Sequence, residues 1–237
     1  MLKIAVVIPA LNEEQAISHV LKDLPKELIY QIVVVDNGSK DKTAITAQKL
    51  GAEVVFEPKR GYGAACQKGV SLVSPEVEII VFLDGDYSDY PEELNLIIEP
   101  ILSNKADMVI GSRSLGQREM GALTPQQVFG NWLATRLIKI IWGFDYSDLG
   151  PFRAIRASSL KLLEMSDTNF GWTIEMQIKA LKHQLKIKEV AVRYKKRLGK
   201  SKISGTVTGS IKAGIKILYL IAKYGLTKTY FYNLQSK

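Results

Sequence analysis

The sequence predicts an α/β domain on one mainly parallel sheet flanked by helices, with a basic helical extension at the C-terminus. Three observations carry this. Short runs rich in Val and Ile alternate with helical patterns through roughly the first 110 residues, the spacing of βαβ units. Polar residues and glycines cluster just after those runs, where ligands bind in parallel sheets. A chain of 237 residues with 46% hydrophobic content is long enough to close one core. The expected division is a domain over 1–205 and an amphipathic helix and tail over 206–237.

Each element follows from its pattern. Lys3–Ile8 is a short apolar run and reads as a buried strand. Asn12 is expected to cap a helix, with Glu13 and Glu14 at its positive end and Ala16, Ile17, Val20, Leu21 and Leu24 on one face. Gln31–Val35 is a second strand. Asp41 caps a helix that stops at Leu50, with Gly51 just beyond its end. Glu53–Phe56 is a third strand, and the loop Lys59–Gly63 leads into a helix of small residues. Glu78–Leu83 and Met108–Ile110 are further strands, separated by a helix over Pro91–Leu102 that opens on proline. Thr124-Pro125 starts a long amphipathic helix ending near Trp142. Trp172–His183 reads as a helix, Ile187–Tyr194 as a strand and Ser210–Tyr224 as a last helix.

Composition narrows the function. One cysteine, Cys66, excludes an internal disulfide and suits a reducing compartment. No apolar leader precedes the first strand, and no stretch of 18 apolar residues occurs. A cytoplasmic protein is expected, free or on the cytoplasmic face of a membrane. Residues 179–228 hold 14 Lys or Arg against one acidic residue, Glu189, while the whole chain is only +8. The remainder is therefore acidic. A uniformly basic nucleic-acid binder would not divide its charge this way, and no nucleic-acid partner is expected.

The chemistry starts at Asp84-Gly85-Asp86, where a buried strand runs into two carboxylates separated by glycine. Like charges this close repel, and a hard cation with oxygen ligands, Mg²⁺ or Mn²⁺, resolves the conflict. A solvated acidic turn is the simpler reading of those three residues alone. Asp36, at the end of the second strand, can accept hydrogen bonds from a base or a ribose, while Asn37, Gly38 and Asp41 are explained by turn chemistry. Arg193, Arg197, Lys200, Ser201 and Lys202 form a basic run that can clamp a diphosphate or can simply be solvated.

Taken together, these pieces resemble family-2 glycosyltransferases, and among them the dolichyl- and polyprenyl-phosphate mannosyl- and glucosyltransferase branch. The resemblance is carried by Val7–Glu14, by Val34–Ser39 with Asp41 and Thr43, by Arg60–Ala65 and by Asp84-Gly85-Asp86. Gly111-Ser112-Arg113, Asp148 through Phe152-Arg153, Glu175-Met176 and Gly199–Lys202 continue it. It implies a GT-A fold and an inverting hexosyltransferase with a nucleoside-diphosphate sugar donor, UDP- or GDP-hexose. It further implies that Pro9, Asn12, Glu13, Asp36, Lys59 and Gly63 line the nucleotide site. Asp84 and Asp86 would hold the ribose, the metal and the diphosphate, and Arg197, Ser201 and Lys202 would close over them. Arg113 would face the transferred sugar or an acceptor phosphate, and Glu175 is the candidate base for a hydroxyl acceptor. Where that branch commonly carries glutamine two residues beyond the second aspartate, this chain has Ser88.

Two other classes share some of these features. A sugar nucleotidyltransferase would need a glycine-rich loop and an arginine after the first strand, where this chain reads Pro9-Ala10-Leu11-Asn12-Glu13. A non-catalytic nucleotide-sugar-binding module at a membrane surface would need no acceptor site. In the last helix Ile211, Ile215, Leu218 and Ala222 recur at helical spacing with Lys212, Lys216 and Lys223 beside them. That face can pack on its own domain, form a homodimer contact or rest peripherally on a membrane.

Overall fold

A computed structural model describes residues 2–199 and 207–235, with side chains of the final helix described at 209 and 211–226. Seven strands form one sheet: β1 (Ile4–Ala10), β2 (Gln31–Asp36), β3 (Glu53–Phe56), β4 (Ile79–Phe82), β5 (Met108–Ser112), β6 (Arg153–Arg156) and β7 (Ile187–Ala191). Their order is β3-β2-β1-β4-β6-β5-β7. All neighbouring pairs are parallel except those of β6, which runs antiparallel to both β4 and β5. The mainly parallel sheet is thus present, with one reversed strand that hydrophobic patterning did not reveal.

Strand residues alternate between two cores, as a period of two requires. On one face Ala5, Val7, Ile80, Phe82, Met108 and Ile110 pack under α3 (Tyr62–Val70), α5 (Pro125–Trp142), α6 (Ala157–Leu163), α7 (Trp172–Lys182) and α8 (Val207–Gln235). On the other, Ile4, Val6, Ile8, Val34, Ile79 and Val81 pack against α1 (Ile17–Asp23), α2 (Thr43–Lys49) and α4 (Leu94–Leu102).

Several boundaries match their sequence signals. Thr124 caps α5 in a capping box with Gln127, and Pro125 is its first residue. Gly51 follows α2 at φ +88°. Others move. Asn12 does not cap α1: it sits at φ +53° and α1 begins only at Ile17. Pro91–Glu93 is a 3-10 turn before α4. β7 ends at Ala191, and the chain then crosses the carboxyl edge of the sheet as an irregular strap, residues 192–199.

From β1 the chain steps to β2 and β3 on one side and then returns to β4 on the other. The crevice beyond the carboxyl ends of β1 and β4 is therefore the topological switch point, where ligands bind in such sheets.

Candidate active site

The site grows from the loops at that crevice. After β1, the backbone N–H of Asn12 donates to Ser39 Oγ at 2.9 Å, and Lys40 N–H returns a bond to Asn12 Oδ1 at 2.8 Å. Glu13 N–H donates to Thr43 Oγ1 at 2.8 Å. The asparagine predicted as a helix cap instead ties the β1 loop to the β2 loop, which its left-handed backbone permits. Asp36 is buried and accepts from Ser39 N–H at 2.8 Å, so one carboxylate oxygen shapes its own turn. Asn37, read from sequence as a simple turn residue, donates to the carbonyls of Glu57 and Lys59 and accepts from Gly61 N–H. It thereby fixes the loop that carries Lys59.

Gly61 and Gly63 lie where the chain passes closest to the 167–169 loop. A Cβ on Gly63 would overlap the carbonyl oxygen of Asp167, and one on Gly61 that of Thr168. Backbone packing explains the glycine at 63 without reference to a ligand. Tyr62, between them, donates its hydroxyl to Asp84 Oδ1 at 3.0 Å.

The Asp84–Asp89 turn leaves β4 directly into the crevice. Gly85 lets this turn lie against β1: a Cβ there would come 3.3 Å from the Pro9 carbonyl oxygen. Burial raises the Asp84 pKa, and the Tyr62 hydroxyl and the Arg197 and Arg113 charges only partly offset it. Asp86 is buried, accepts from Ser88 N–H at 2.9 Å and Ser88 Oγ at 2.5 Å, and is ion-paired by its other oxygen with Arg197. Ser88 thus acts through Asp86. Asp89, absent from the sequence-derived site, is buried with neither oxygen hydrogen-bonded, and burial, reinforced by Asp84, pushes its pKa up to about 8.

Arg113 follows β5 and is held by Asp148 in a bidentate pair, with Nε and one terminal nitrogen each 2.7 Å from a carboxylate oxygen. Its guanidinium also stacks on Tyr194, 5.0 Å from the ring centroid. Burial works against the charge, but Asp148 outweighs it, so Arg113 stays charged. Asp148 is in turn held by the β7 carboxylate of Glu189, which accepts from Ser147 and Asp148 N–H. Arg113 therefore anchors the crevice wall and presents little free surface.

The strap is fastened along its length. Arg193 pairs with Glu92 and Glu93, so it belongs to a surface ion-pair cluster and not to a phosphate clamp. Tyr194 N–H donates to the Gln117 carbonyl, Lys195 N–H to the Ser88 carbonyl and Leu198 N–H to the Asp86 carbonyl. These bonds bring Arg197 onto Asp86. Leu198 and Gly199 then roof a cleft of about 410 Å³ whose other walls are Asn12–Gln15 and Asp41. Ser201 and Lys202, the remaining predicted members of this basic run, lie outside the described residues.

Glu175 stands apart from the cluster. It is fully buried in α7 and accepts from Ser166 N–H and Oγ, Asp167 N–H, the Tyr224 hydroxyl and Lys179. Burial would raise its pKa, but these donors outweigh it and hold the carboxylate down to about 2. A carboxylate so thoroughly bonded is a poor proton acceptor at neutral pH. Its geometry is that of a brace between α7, the 166–167 turn and α8.

The donor set suits a divalent cation in one particular way. Among the described residues no three acidic, His or Cys side chains converge on a point. Asp84 and Asp86 face the crevice from the turn, and Asp86 already carries a cation in the form of Arg197. Two carboxylates with the rest supplied by substrate oxygens is the pattern Mg²⁺ and Mn²⁺ adopt with diphosphates.

Residues 5–163 match the family described as Glycosyl transferase family 2. The chain belongs to glycosyl transferase family 2. Its relatives include an uncharacterised glycosyltransferase of Mycobacterium tuberculosis, 34% identical over 215 residues that cover 89% of this chain and 94% of the relative. A dolichyl-phosphate hexose transferase of Haloferax volcanii is 31% identical over 211 residues, 87% and 89% of the two chains. Among solved structures, glucosyl-3-phosphoglycerate synthase of Mycobacterium tuberculosis, in complex with Mn²⁺, UDP and glucosyl-3-phosphoglycerate, superposes with TM-score 0.75. That match covers 94% of this chain and 79% of the other at 21% identity, a likeness of GT-A fold. The family-2 chain is a glycosyltransferase, and the nucleotidyl-transfer and non-catalytic alternatives fall away.

Proposed function

We propose that this family-2 enzyme moves a hexose, with inversion, from UDP- or GDP-hexose to a polyprenyl phosphate. The observation that carries the reading is the Asp84-Gly85-Asp86 turn at the β1/β4 switch point, with Arg197 of the strap on Asp86. The nucleoside would lie in the crevice bounded by Pro9, Asn12, Glu13, Asp36 and Lys59. Asp84 and Asp86 would hold Mg²⁺ or Mn²⁺, which would supply charge neutralisation to a departing diphosphate. Arg197, released from Asp86, adds a guanidinium that can donate two hydrogen bonds to the same diphosphate. Ser201 and Lys202 are proposed to complete that cover.

The acceptor oxygen attacks the anomeric carbon opposite the diphosphate. The new C–O bond forms as the old one breaks, and the electron pair leaves on the nucleoside diphosphate. A phosphate acceptor is already anionic, so the step needs no general base, which agrees with a Glu175 committed to structural hydrogen bonds. The name of the 31% identical Haloferax volcanii relative supports a lipid-phosphate acceptor. Such an acceptor lies in a bilayer, which makes peripheral work at the cytoplasmic face of a membrane part of the reading.

The test is a panel of UDP- and GDP-hexoses with Mn²⁺ or Mg²⁺, following nucleoside diphosphate release. Polyprenyl phosphate and 3-phosphoglycerate serve as the two acceptor arms. Metal-dependent release stimulated by the lipid phosphate supports the proposal. Stimulation only by 3-phosphoglycerate would replace the acceptor, and no release with any donor would overturn the reading.

A further inference from the structure

In α8 the apolar pattern noticed in the sequence does not face the domain. Ile217, Leu220, Ile221 and Tyr224 pack against α5, α7 and the core. Ile211, Ile215, Leu218, Ala222 and Leu226 face outward, with Ile215 at 63% and Leu226 at 73% exposed. At 100° per residue these five positions form one stripe with Lys212 and Lys223 along one edge of it, while Lys216 on the same edge is ion-paired with Asp167 at 2.7 Å.

The neighbouring helix repeats this. α5 buries Ala134, Thr135 and Ile138 and exposes Phe129 at 60%, Trp132 at 56% and Ile140 at 73%, with Arg136 in the same stripe. The Phe129 and Trp132 rings lie 5.8 Å apart. α5 and α8 pack on one another and bury their inward residues in the same core, so their exposed stripes are neighbours. Leu115 and Met120, on the loop joining Arg113 to α5, are exposed as well. Scattered exposed apolar residues are ordinary, but two adjacent stripes that end in paired aromatic rings form a surface.

We propose that the outward faces of α5 and α8 form a docking surface for an anionic lipid bilayer. The proposal deepens the acceptor reading above and rests on it for the reason a bilayer is met at all. Charge chooses the occupant. Neither α5 nor α8 contains an acidic residue, Lys212 and Lys223 edge the α8 stripe, and Arg136 lies in that of α5. A two-fold contact between copies would bring the same basic edge from each partner to one interface, which repels. A bilayer with anionic headgroups accepts the aliphatic and aromatic side chains in its interfacial layer and the lysines at its surface. Among the described residues no helix is long and apolar enough to cross a membrane, so contact through this face would be peripheral.

The experiment uses the full chain and mixed phosphatidylcholine–phosphatidylglycerol vesicles, with pure phosphatidylcholine as control and no donor present. Co-sedimentation reports binding, and quenching of tryptophan fluorescence by brominated lipids reports insertion. Trp132 is the exposed tryptophan, Trp172 being buried and Trp142 half-buried. The expected result is binding to anionic vesicles with quenching of Trp132. The double variants Phe129→Ser/Trp132→Ser and Ile211→Ser/Ile215→Ser should each weaken binding by more than about tenfold. Metal-dependent donor hydrolysis in solution should stay intact, which also reports that the variants fold. Wild-type protein that ignores anionic vesicles overturns the proposal. So does a concentration-dependent dimer that the same variants dissociate, which assigns the face to a second copy. Because the vesicle assay contains no donor, its failure is distinct from failure of the transferase reading.

Discussion

Glu175→Gln separates a brace from a base. The buried carboxylate accepts from Ser166, Asp167, Lys179 and Tyr224, and its pKa falls from the ordinary 4.5 to about 2. If the unfolded chain titrates normally, that fall is worth roughly 3 kcal/mol of stability at neutral pH, and screening near the Lys179 side reduces it to roughly 2–3 kcal/mol. The sign follows from the depressed folded pKa: the contribution is whole above about pH 4.5 and is lost as the pH falls toward about 2. Glutamine keeps the shape but turns an amide N–H₂ toward donors. We therefore expect the variant to lose roughly 2–3 kcal/mol at pH 7, about 4–12 °C in Tm for a chain of this size. The loss should shrink toward pH 3. Denaturant unfolding across pH measures it, alongside turnover at a temperature where both proteins are folded. Unchanged stability with a hundredfold or greater fall in kcat would refute the brace and restore the base.

Three further variants probe the rest of the site. Gly63→Ala should cost about 3 kcal/mol or more, because its methyl would overlap the Asp167 carbonyl oxygen, and thermal unfolding reads this directly. Asp89→Asn in the presence of a chelator should melt higher than wild type at pH 8 and converge with it near pH 4. A folded pKa raised to about 8 means the buried acid loses stability as the pH climbs from the ordinary 3.8 toward 8, a penalty the amide escapes; an equal or lower Tm at pH 8 counts against this. Arg197→Gln should bind Mn²⁺ several-fold more tightly without nucleotide, since it removes the cation already on Asp86, while lowering kcat with donor present. Calorimetric titration with Mn²⁺ alone would expose the opposite trend.

Much of this architecture is legible in local sequence. Strands β1 to β5 are each found within a few residues because Val and Ile runs bounded by turn residues are a local signal. The start of α5 is legible to the residue because Thr124, Pro125 and Gln127 act within one turn. β6 is not legible: its four residues begin and end with arginine, and Arg153 is buried only because the carbonyls of Leu149, Gly150 and Thr173 receive its guanidinium. Asn12 was misread because the same residue types that cap helices also occupy left-handed turns. At the site, Asp84, Asp86 and Arg197 could be named from the motif and the basic run. The Arg113–Asp148 pair spans 35 residues and the Arg197–Asp86 pair 111, and no local pattern encodes such partners. Asp89 carried a local clue, a third acid in the Asp84–Asp89 turn, but its isolation becomes visible only when the strap covers it.

The proposed chemistry needs two carboxylates at the β1/β4 switch point acting with a divalent ion on a nucleoside-diphosphate sugar. The direct measurement is nucleoside diphosphate release by wild type, Asp84→Asn and Asp86→Asn across a Mn²⁺ titration, with the preferred donor and polyprenyl phosphate. Saturable Mn²⁺ dependence is expected in wild type and a loss of more than about a hundredfold in kcat/KM in both variants, with folding retained by circular dichroism. Full turnover by wild type in chelator, or by either variant at the wild-type rate, would contradict that chemistry.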